Sequence, residues 1–278
     1  MRVIDLTRPM EEGMPVYPGD PLFRARPVAE HETDGFRVTE LSFGTHTGTH
    51  IDFPFHFFQD GEQADAFGPE AFYLKSAALD ISGELEKYRY GSLPPVILPE
   101  LLEPFAPVFS EVEAVILKTG WSRPIADRRQ ISVSEPVGGR EEFPDRNAEF
   151  TAFPSFLPET ADWLAEQPIR LLGLETPSLS ALAHYSPEDG PLPPSANRRS
   201  ESDEILFYHA DAEAHRILLG RIPPLFILEN LLIPDDLPAI RLSQADNGEG
   251  VLFTLAAFPL RLVGGDASPV RAVAILDR

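Results

Sequence analysis

The segment His46-Thr47-Gly48-Thr49-His50-Ile51-Asp52-Phe53-Pro54-Phe55-His56 carries three of the chain's seven histidines and an aspartate, all at even-numbered positions. Successive side chains of an extended chain point to opposite faces, so these four would share one face and the Thr, Ile and Phe residues the other. A helix is disfavoured, because Gly48 and Pro54 would weaken it by about 1 and 3 kcal/mol. The segment therefore predicts a strand with one polar, reactive face and one core face.

Gly48 predicts a break in this strand. A straight strand rises roughly 3.3 Å per residue and would separate His46 from His50 by about 13 Å, near the limit for two imidazoles that share one ion. Glycine adopts positive φ angles without a steric penalty. We therefore expect a bend or bulge near Gly48 that brings the two histidines together.

His46, His50 and Asp52 are residue types that bind divalent metals. The chain has no cysteine, so imidazole and carboxylate groups must supply the ligands, which suits Zn, Mn or Fe. Three local ligands would leave positions open for water or for a second metal ion. A solvated, histidine-rich edge strand is the alternative interpretation of the same residues.

The overall composition excludes several classes of function. The 278 residues are 43% hydrophobic, which supports a sizeable core, and the formal charge of −21 opposes binding to a phosphate backbone. No apolar run approaches the roughly 18 residues of a membrane span, and the N-terminus lacks a signal-like apolar stretch. We expect a cytoplasmic protein with a small-molecule substrate and no nucleic-acid or membrane partner.

Helix and strand signals alternate in the middle of the chain, which is typical of a mixed α/β fold. The predicted strands cover 36–43, 112–118, 169–174, 225–228, 252–263 and 270–276, and the predicted helices cover 99–103, 158–166 and 210–219. Residues 122–156 and 185–203 lack such signals, so long loops are expected there. Neither stretch has the composition of an interdomain linker and no internal repeat is evident, so we expect one domain over residues 1–278.

The 46–56 segment resembles the signature of the metal-dependent cyclase family, which includes bacterial kynurenine formamidases and isatin hydrolases. Other segments are similar in kind and order, so that the resemblance covers nearly the full chain; they are Asp5-Leu6-Thr7, Tyr17-Pro18-Gly19-Asp20-Pro21, Leu117-Lys118-Thr119-Gly120-Trp121, Gly173-Leu174-Glu175-Thr176-Pro177-Ser178, Ala214-His215 and Leu228-Glu229-Asn230-Leu231. The resemblance implies a single-domain α/β fold of the swivelling β/β/α type with a mixed sheet. It also implies a homo-oligomer, a dimer or tetramer, with the site near a subunit interface.

The resemblance also implies a role for each candidate site residue. The metal ligands that it implies are His46, His50, Asp52, His215 and Glu229. The first three would bind one ion, and Asp52 could bridge to a second ion held by His215 and Glu229. His56 would be the acid/base. The implied cofactor is one or two divalent ions, Zn or Mn.

The implied activity is that of a metal-dependent amidohydrolase. Metal-bound hydroxide would attack an amide carbonyl, the metal would stabilise the oxyanion, and His56 would carry the proton to the departing nitrogen. An aryl formamide such as N-formylkynurenine, from tryptophan catabolism, is the first substrate implied, and a cyclic amide or imide such as isatin is the alternative. Tyr17 and Trp121, which lie beside predicted turns, are candidates for the walls of the pocket.

Two further functions stay open. His50-Ile51-Asp52 with a distant His215 also matches the two-histidine, one-carboxylate triad of non-haem iron oxygenases. A metal-binding protein without catalysis is the other, because Arg216 follows His215 where many relatives have a second histidine. Oxygen consumption with Fe(II) and a cosubstrate would identify the first, and bound metal without activity on an amide panel would identify the second.

Overall fold

A computed structural model of the chain describes residues 1–90, 94–122, 150, 152–181, 207–247 and 250–277. The strands in that part are β1 (Arg2–Asp5), β2 (Arg24–Ala29), β3 (Val38–Ser42), β4 (His50–Asp52), β5 (Tyr73–Asp80), β6 (Val96–Ile97), β7 (Ala114–Lys118), β8 (Ser155–Phe156), β9 (Leu171–Leu174), β10 (Phe226–Glu229), β11 (Ile240–Arg241), β12 (Phe253–Ala256), β13 (Ala267–Pro269) and β14 (Val273–Leu276). The helices are α1 (His31–Asp34), α2 (Pro99–Leu102), α3 (Ala106–Phe109), α4 (Pro158–Ala165) and α5 (Phe207–Leu219). None of these described helices is long and apolar enough to cross a membrane.

A mixed sheet of ten strands organises the described residues. Its order is β1-β14-β12-β5-β7-β9-β10-β4-β13, and β11 pairs with β5 outside this path. The central strands β5, β7, β9 and β10 are parallel neighbours, whereas the pairs at both flanks are antiparallel. Parallel neighbours require crossover connections, and α2, α3 and α4 lie in the connections between successive central strands. The predicted α/β fold with a mixed sheet is confirmed.

The core lies on both faces of this sheet. Every residue of β7, β9 and β10 is buried, as expected for parallel strands that are covered on two sides. Alternate residues of β7 enter different apolar clusters, with Val115 and Leu117 in one and Ala114 and Ile116 in the other. The alternation follows from the two-residue period of a strand.

The pairing of β4 positions the polar residues of the 46–56 segment. β4 lies between β10 and β13 and is antiparallel to both. In this register Glu229 at the end of β10 lies opposite His50, and Ala267 of β13 lies opposite Asp52. Residues that are far apart in sequence therefore meet around one short buried strand.

Most predicted elements are present with shifted ends. The predicted strand over 252–263 is shorter, since β12 ends at Ala256, and Pro259 and Leu260 follow it. The predicted loop over 122–156 contains the short strand β8, which pairs with β6, so that part of the prediction is wrong. Most of the remainder of that loop, and all of 185–203, lies outside the described residues.

β2 and β3 form a separate two-stranded hairpin beside the main sheet. All five residues of β3 are exposed, and β2 is exposed or partly exposed along its length. Large apolar side chains on the hairpin face solvent, among them Phe36, Val38 and Leu41 at 56%, 45% and 55% exposure. Val38 and Leu41 lie three residues apart on β3 and therefore point to opposite faces of the hairpin. Both faces thus expose apolar side chains, which often marks a surface of interaction.

Candidate metal centre

The turn before β4 brings His46 close to His50. Gly48 has φ of 71°, a conformation that glycine adopts without the steric penalty of a side chain. The His46 and His50 rings consequently lie 5.0 Å apart between centroids, much closer than a straight strand would allow. The predicted bend at Gly48 is confirmed.

The chain after Asp52 turns rather than continuing as a strand. Residues Pro54–His56 form a single 3₁₀ turn, so the prediction of one extended strand through His56 is wrong. Proline has no amide proton for a strand ladder, and its fixed φ suits the first turn of a helix. The turn returns His56 towards the site, where its ring lies 4.1 Å from that of His46.

Two distant residues complete the cluster around Asp52. His215 projects from α5, and its Nε2 lies 3.5 Å from Asp52 Oδ2 and 3.3 Å from Glu229 Oε1. Glu229 Oε2 also lies 3.5 Å from His50 Nε2. The structure therefore brings together all five residues predicted as metal ligands, and all except His46 are almost completely buried.

Each of the three histidines predicted as metal ligands has one ring nitrogen that contacts an oxygen outside the five-residue cluster. His50 Nδ1 donates to the Gly48 carbonyl at 2.9 Å, and His215 Nδ1 donates to the Asp211 carbonyl at 2.8 Å. His46 is oriented the other way, since its Nδ1 lies 2.9 Å from Asp52 Oδ1 while its Nε2 faces Asp266 at 3.4 Å. Each imidazole thus directs one nitrogen at the Asp52–Glu229 carboxylates, as metal-binding histidines typically do.

Burial and mutual contacts shift the ionisation of these groups. Burial alone would lower the pKa of His46, but the Asp52 and Asp266 carboxylates raise it to about 10. Burial would raise the pKa of Asp52, yet His46, His215 and His50 together hold it well below its usual range. Burial and the Asp52 charge raise the pKa of Glu229. Metal binding at this cluster would therefore release protons from its histidines, and the buried carboxylates would compensate the charge of the ion.

The donor set fits a divalent metal. Three triads of the described residues offer ligand atoms that lie within 4.8 Å of one another, and two of them, His46-His50-Asp52 and Asp52-His215-Glu229, share Asp52. Among the described residues, His50 Nε2 and Asp52 Oδ1 are buried without completing a hydrogen bond. Buried polar atoms of this kind usually have a partner. Their position at the centre of the nitrogen and oxygen donors is where an ion would supply one.

A cavity of about 250 Å³ opens onto this cluster. Tyr17, Phe57 and Phe150 are among its lining residues, and the Phe57 ring stacks on His215 at 4.9 Å. The Arg216 guanidinium lies 5.3 Å from the centre of the Phe57 ring, so this residue packs against the cavity wall. Trp121, the other predicted wall residue, is not among the lining residues in the described part of the chain.

Sequence reasoning missed two carboxylates that contact the histidines. Asp211 is buried, accepts hydrogen bonds from Ser178 and Ser180, and lies 3.7 Å from His215 Nδ1. Asp266 precedes β13 and approaches both His46 and His56. For Asp211 a signal was available, because it lies four residues before His215 on the predicted helix and would share its face.

Comparison with known proteins gives a consistent family assignment. The Cyclase family model matches residues 4–181. The kynurenine formamidase of Bacillus cereus is 27% identical over 271 residues, which cover 97% of this chain and 95% of that protein. The kynurenine formamidase of Bacillus mycoides is 28% identical over 271 residues with the same coverage of both chains.

Solved structures share the fold. Isatin hydrolase A from Labrenzia aggregata, bound to benzyl benzoate, superposes with a TM-score of 0.68 at 22% identity, covering 99% of this chain and 94% of that one. Isatin hydrolase A from Ralstonia solanacearum gives a TM-score of 0.64 at 19% identity, with coverage of 99% and 92%. The mixed α/β architecture described above is therefore that of known hydrolase structures.

Proposed function

We infer the function of this chain from the Cyclase family, to which it belongs, and from its buried imidazole and carboxylate cluster. It is a metal-dependent hydrolase that cleaves a C–N amide bond. The observation that carries this function is the pair of ligand triads that share buried Asp52 below a cavity lined by His56. Such a site combines an electrophilic centre with a proton-transfer group.

Each residue of the site has a distinct role in this reaction. A divalent ion, when bound, polarises the substrate carbonyl and lowers the pKa of water. His46, His50 and Asp52 would hold this ion, and His215 and Glu229 would hold a second ion together with Asp52. The partly exposed His56 side chain, at 31%, holds the proton that passes to the departing nitrogen. We propose Zn or Mn as the metal, because the ligands are only nitrogen and oxygen donors.

An aryl formamide is the substrate class that we favour, with N-formylkynurenine as its representative. The cavity has aromatic walls from Tyr17, Phe57 and Phe150, which suit a flat ring. The relatives at 27–28% identity are named kynurenine formamidases, so a role in tryptophan catabolism follows from this substrate. A cyclic amide such as isatin is the second candidate, favoured by the similarity in fold to isatin hydrolases.

Initial rates of hydrolysis with the Zn- and Mn-loaded protein test this proposal. We expect N-formylkynurenine to be cleaved with the higher kcat/KM and isatin with the lower one. The reverse order would favour the cyclic amide. If neither substrate nor a panel of simple formanilides is hydrolysed by protein that holds metal, the hydrolase assignment is wrong. Oxygen uptake with Fe(II) and a cosubstrate would then support the oxygenase alternative.

We further propose that the chain forms one hydrolase domain in a cytoplasmic homo-oligomer, a dimer or tetramer. The exposed apolar hairpin supports this, since Phe36, Val38 and Leu41 gain burial if a second copy covers them. Light scattering should give a mass of two or four chains for the wild type and a smaller mass for Phe36→Asp/Leu41→Glu. Ile222→Asp is the matched control, because Ile222 is also exposed but lies outside the hairpin. A monomeric wild type would contradict the proposal.

A further inference from the structure

Asp266 occupies the space between two histidines of the site. Its Oδ2 lies 3.4 Å from His46 Nε2 and 3.8 Å from His56 Nδ1. Its Oδ1 accepts a hydrogen bond from the Thr45 hydroxyl at 2.9 Å. One carboxylate thus contacts a predicted metal ligand and the predicted acid/base, and a third side chain orients it.

The backbone of Asp266 is fixed to the same strand that carries Asp52. The Asp266 carbonyl accepts a hydrogen bond from the Phe53 amide at 3.0 Å, and the next residue, Ala267, pairs with Asp52 in the β13–β4 register. Any displacement of β4 would therefore move Asp266 with it. A carboxylate anchored in this way can hold a neighbouring imidazole ring in one orientation.

The two ring nitrogens of His46 face different carboxylates. Nδ1 lies 2.9 Å from Asp52 Oδ1 and so faces the metal cluster, while Nε2 faces Asp266. A carboxylate on the far nitrogen fixes the tautomer of a metal-binding histidine and raises its basicity as a ligand. His56 directs Nδ1 at the same carboxylate, which leaves its Nε2 as the nitrogen for proton transfer.

We propose that Asp266 is a positioning residue that orients both His46 as a metal ligand and His56 as the acid/base. The His56 half of this inference rests on the proposed hydrolase function, whereas the His46 half rests on metal binding alone. His46, His56 and Asp266 also offer ligand atoms within 4.8 Å of one another, so direct ligation by Asp266 is the competing role. Positioning is favoured because the Asp266 side chain is 38% exposed and both of its carboxylate oxygens already contact protein groups.

Asp266→Asn tests the metal-binding half without reference to turnover. We expect Zn(II) affinity, measured by competition with a chromophoric chelator, to fall about ten- to a hundredfold, while the number of ions per chain stays that of the wild type. Asp34→Asn is the matched control, since the Asp34 carboxylate also accepts a threonine hydroxyl hydrogen bond but lies on the distant α1. Unchanged affinity would overturn the proposal, and so would the loss of one ion per chain, which would make Asp266 a ligand.

A double-mutant cycle tests the His56 half. At saturating metal, Asp266→Asn should lower kcat about tenfold with little change in KM. In the His56→Ala background the same substitution should leave kcat unchanged, because the group that it orients has been removed. Equal losses in both backgrounds would overturn the positioning role. If no amide substrate is turned over by the wild type, the hydrolase function fails while the affinity measurement still decides the role at His46.

Discussion

Asp52→Asn is expected to abolish binding of divalent metal at both positions and to lower amide hydrolysis by at least about 10⁴-fold. Asp52 is the one residue common to the two ligand triads, and its carboxylate contacts His46, His50 and His215. Asparagine keeps the shape of the side chain but removes the charge that compensates a cation. Loss of one residue therefore affects two ion positions together.

Elemental analysis and chelator competition on the purified variant measure this effect, and thermal unfolding checks that the fold is retained. Asp60→Asn is the matched control, because Asp60 is an exposed aspartate shortly after the same segment and should leave metal content unchanged. An Asp52→Asn protein that binds metal with wild-type affinity would show that the cluster is not the metal site.

His56→Ala is expected to lower kcat about 10²- to 10⁴-fold while metal content stays at the wild-type level. His56 lines the cavity and lies outside the two triads that contain Asp52, so its removal takes away proton transfer rather than a ligand of those triads. Its partial exposure also means that truncation leaves little buried space. Single-turnover rates and metal analysis on the same preparation separate the two effects.

His31→Ala provides the control for this substitution. His31 is exposed on α1 and lies away from the cavity residues, so the variant should keep both metal and turnover. Turnover by His56→Ala at the wild-type rate would remove this residue from the mechanism. Loss of metal together with activity would instead make it a ligand.

The ligands of the 46–56 segment could be predicted because the residues that define them are close together in the sequence. His46, His50 and Asp52 are spaced by even numbers, and Gly48 between them supplies the positive φ that closes the turn. The strand prediction failed at Pro54, where the alternation of side chains continued in the sequence but the backbone entered a 3₁₀ turn. The alternation of polar and apolar residues shows which side chains share a face of an extended chain. It does not show at which residue the strand ends.

The positions of the site residues outside the 46–56 segment depend on strand pairing, which no local sequence pattern predicts. His215 and Glu229 were assigned through the family resemblance, and the antiparallel β10–β4 register explains why Glu229 meets His50. Asp266 had no such support, since Gly264-Gly265-Asp266 has the composition of an exposed turn. Its contact with His46 and His56 arises only because β13 pairs with β4.

The metal content of the purified wild-type protein, before and after reconstitution with Zn(II) and Mn(II), tests most directly whether the cluster around Asp52 is a metal site. The shared Asp52, the buried His50 Nε2 that completes no hydrogen bond, and the two triads that contain Asp52 predict at least one tightly bound ion per chain, which is absent from Asp52→Asn. A wild-type protein that holds no divalent metal even after reconstitution would show that this cluster is not a metal site.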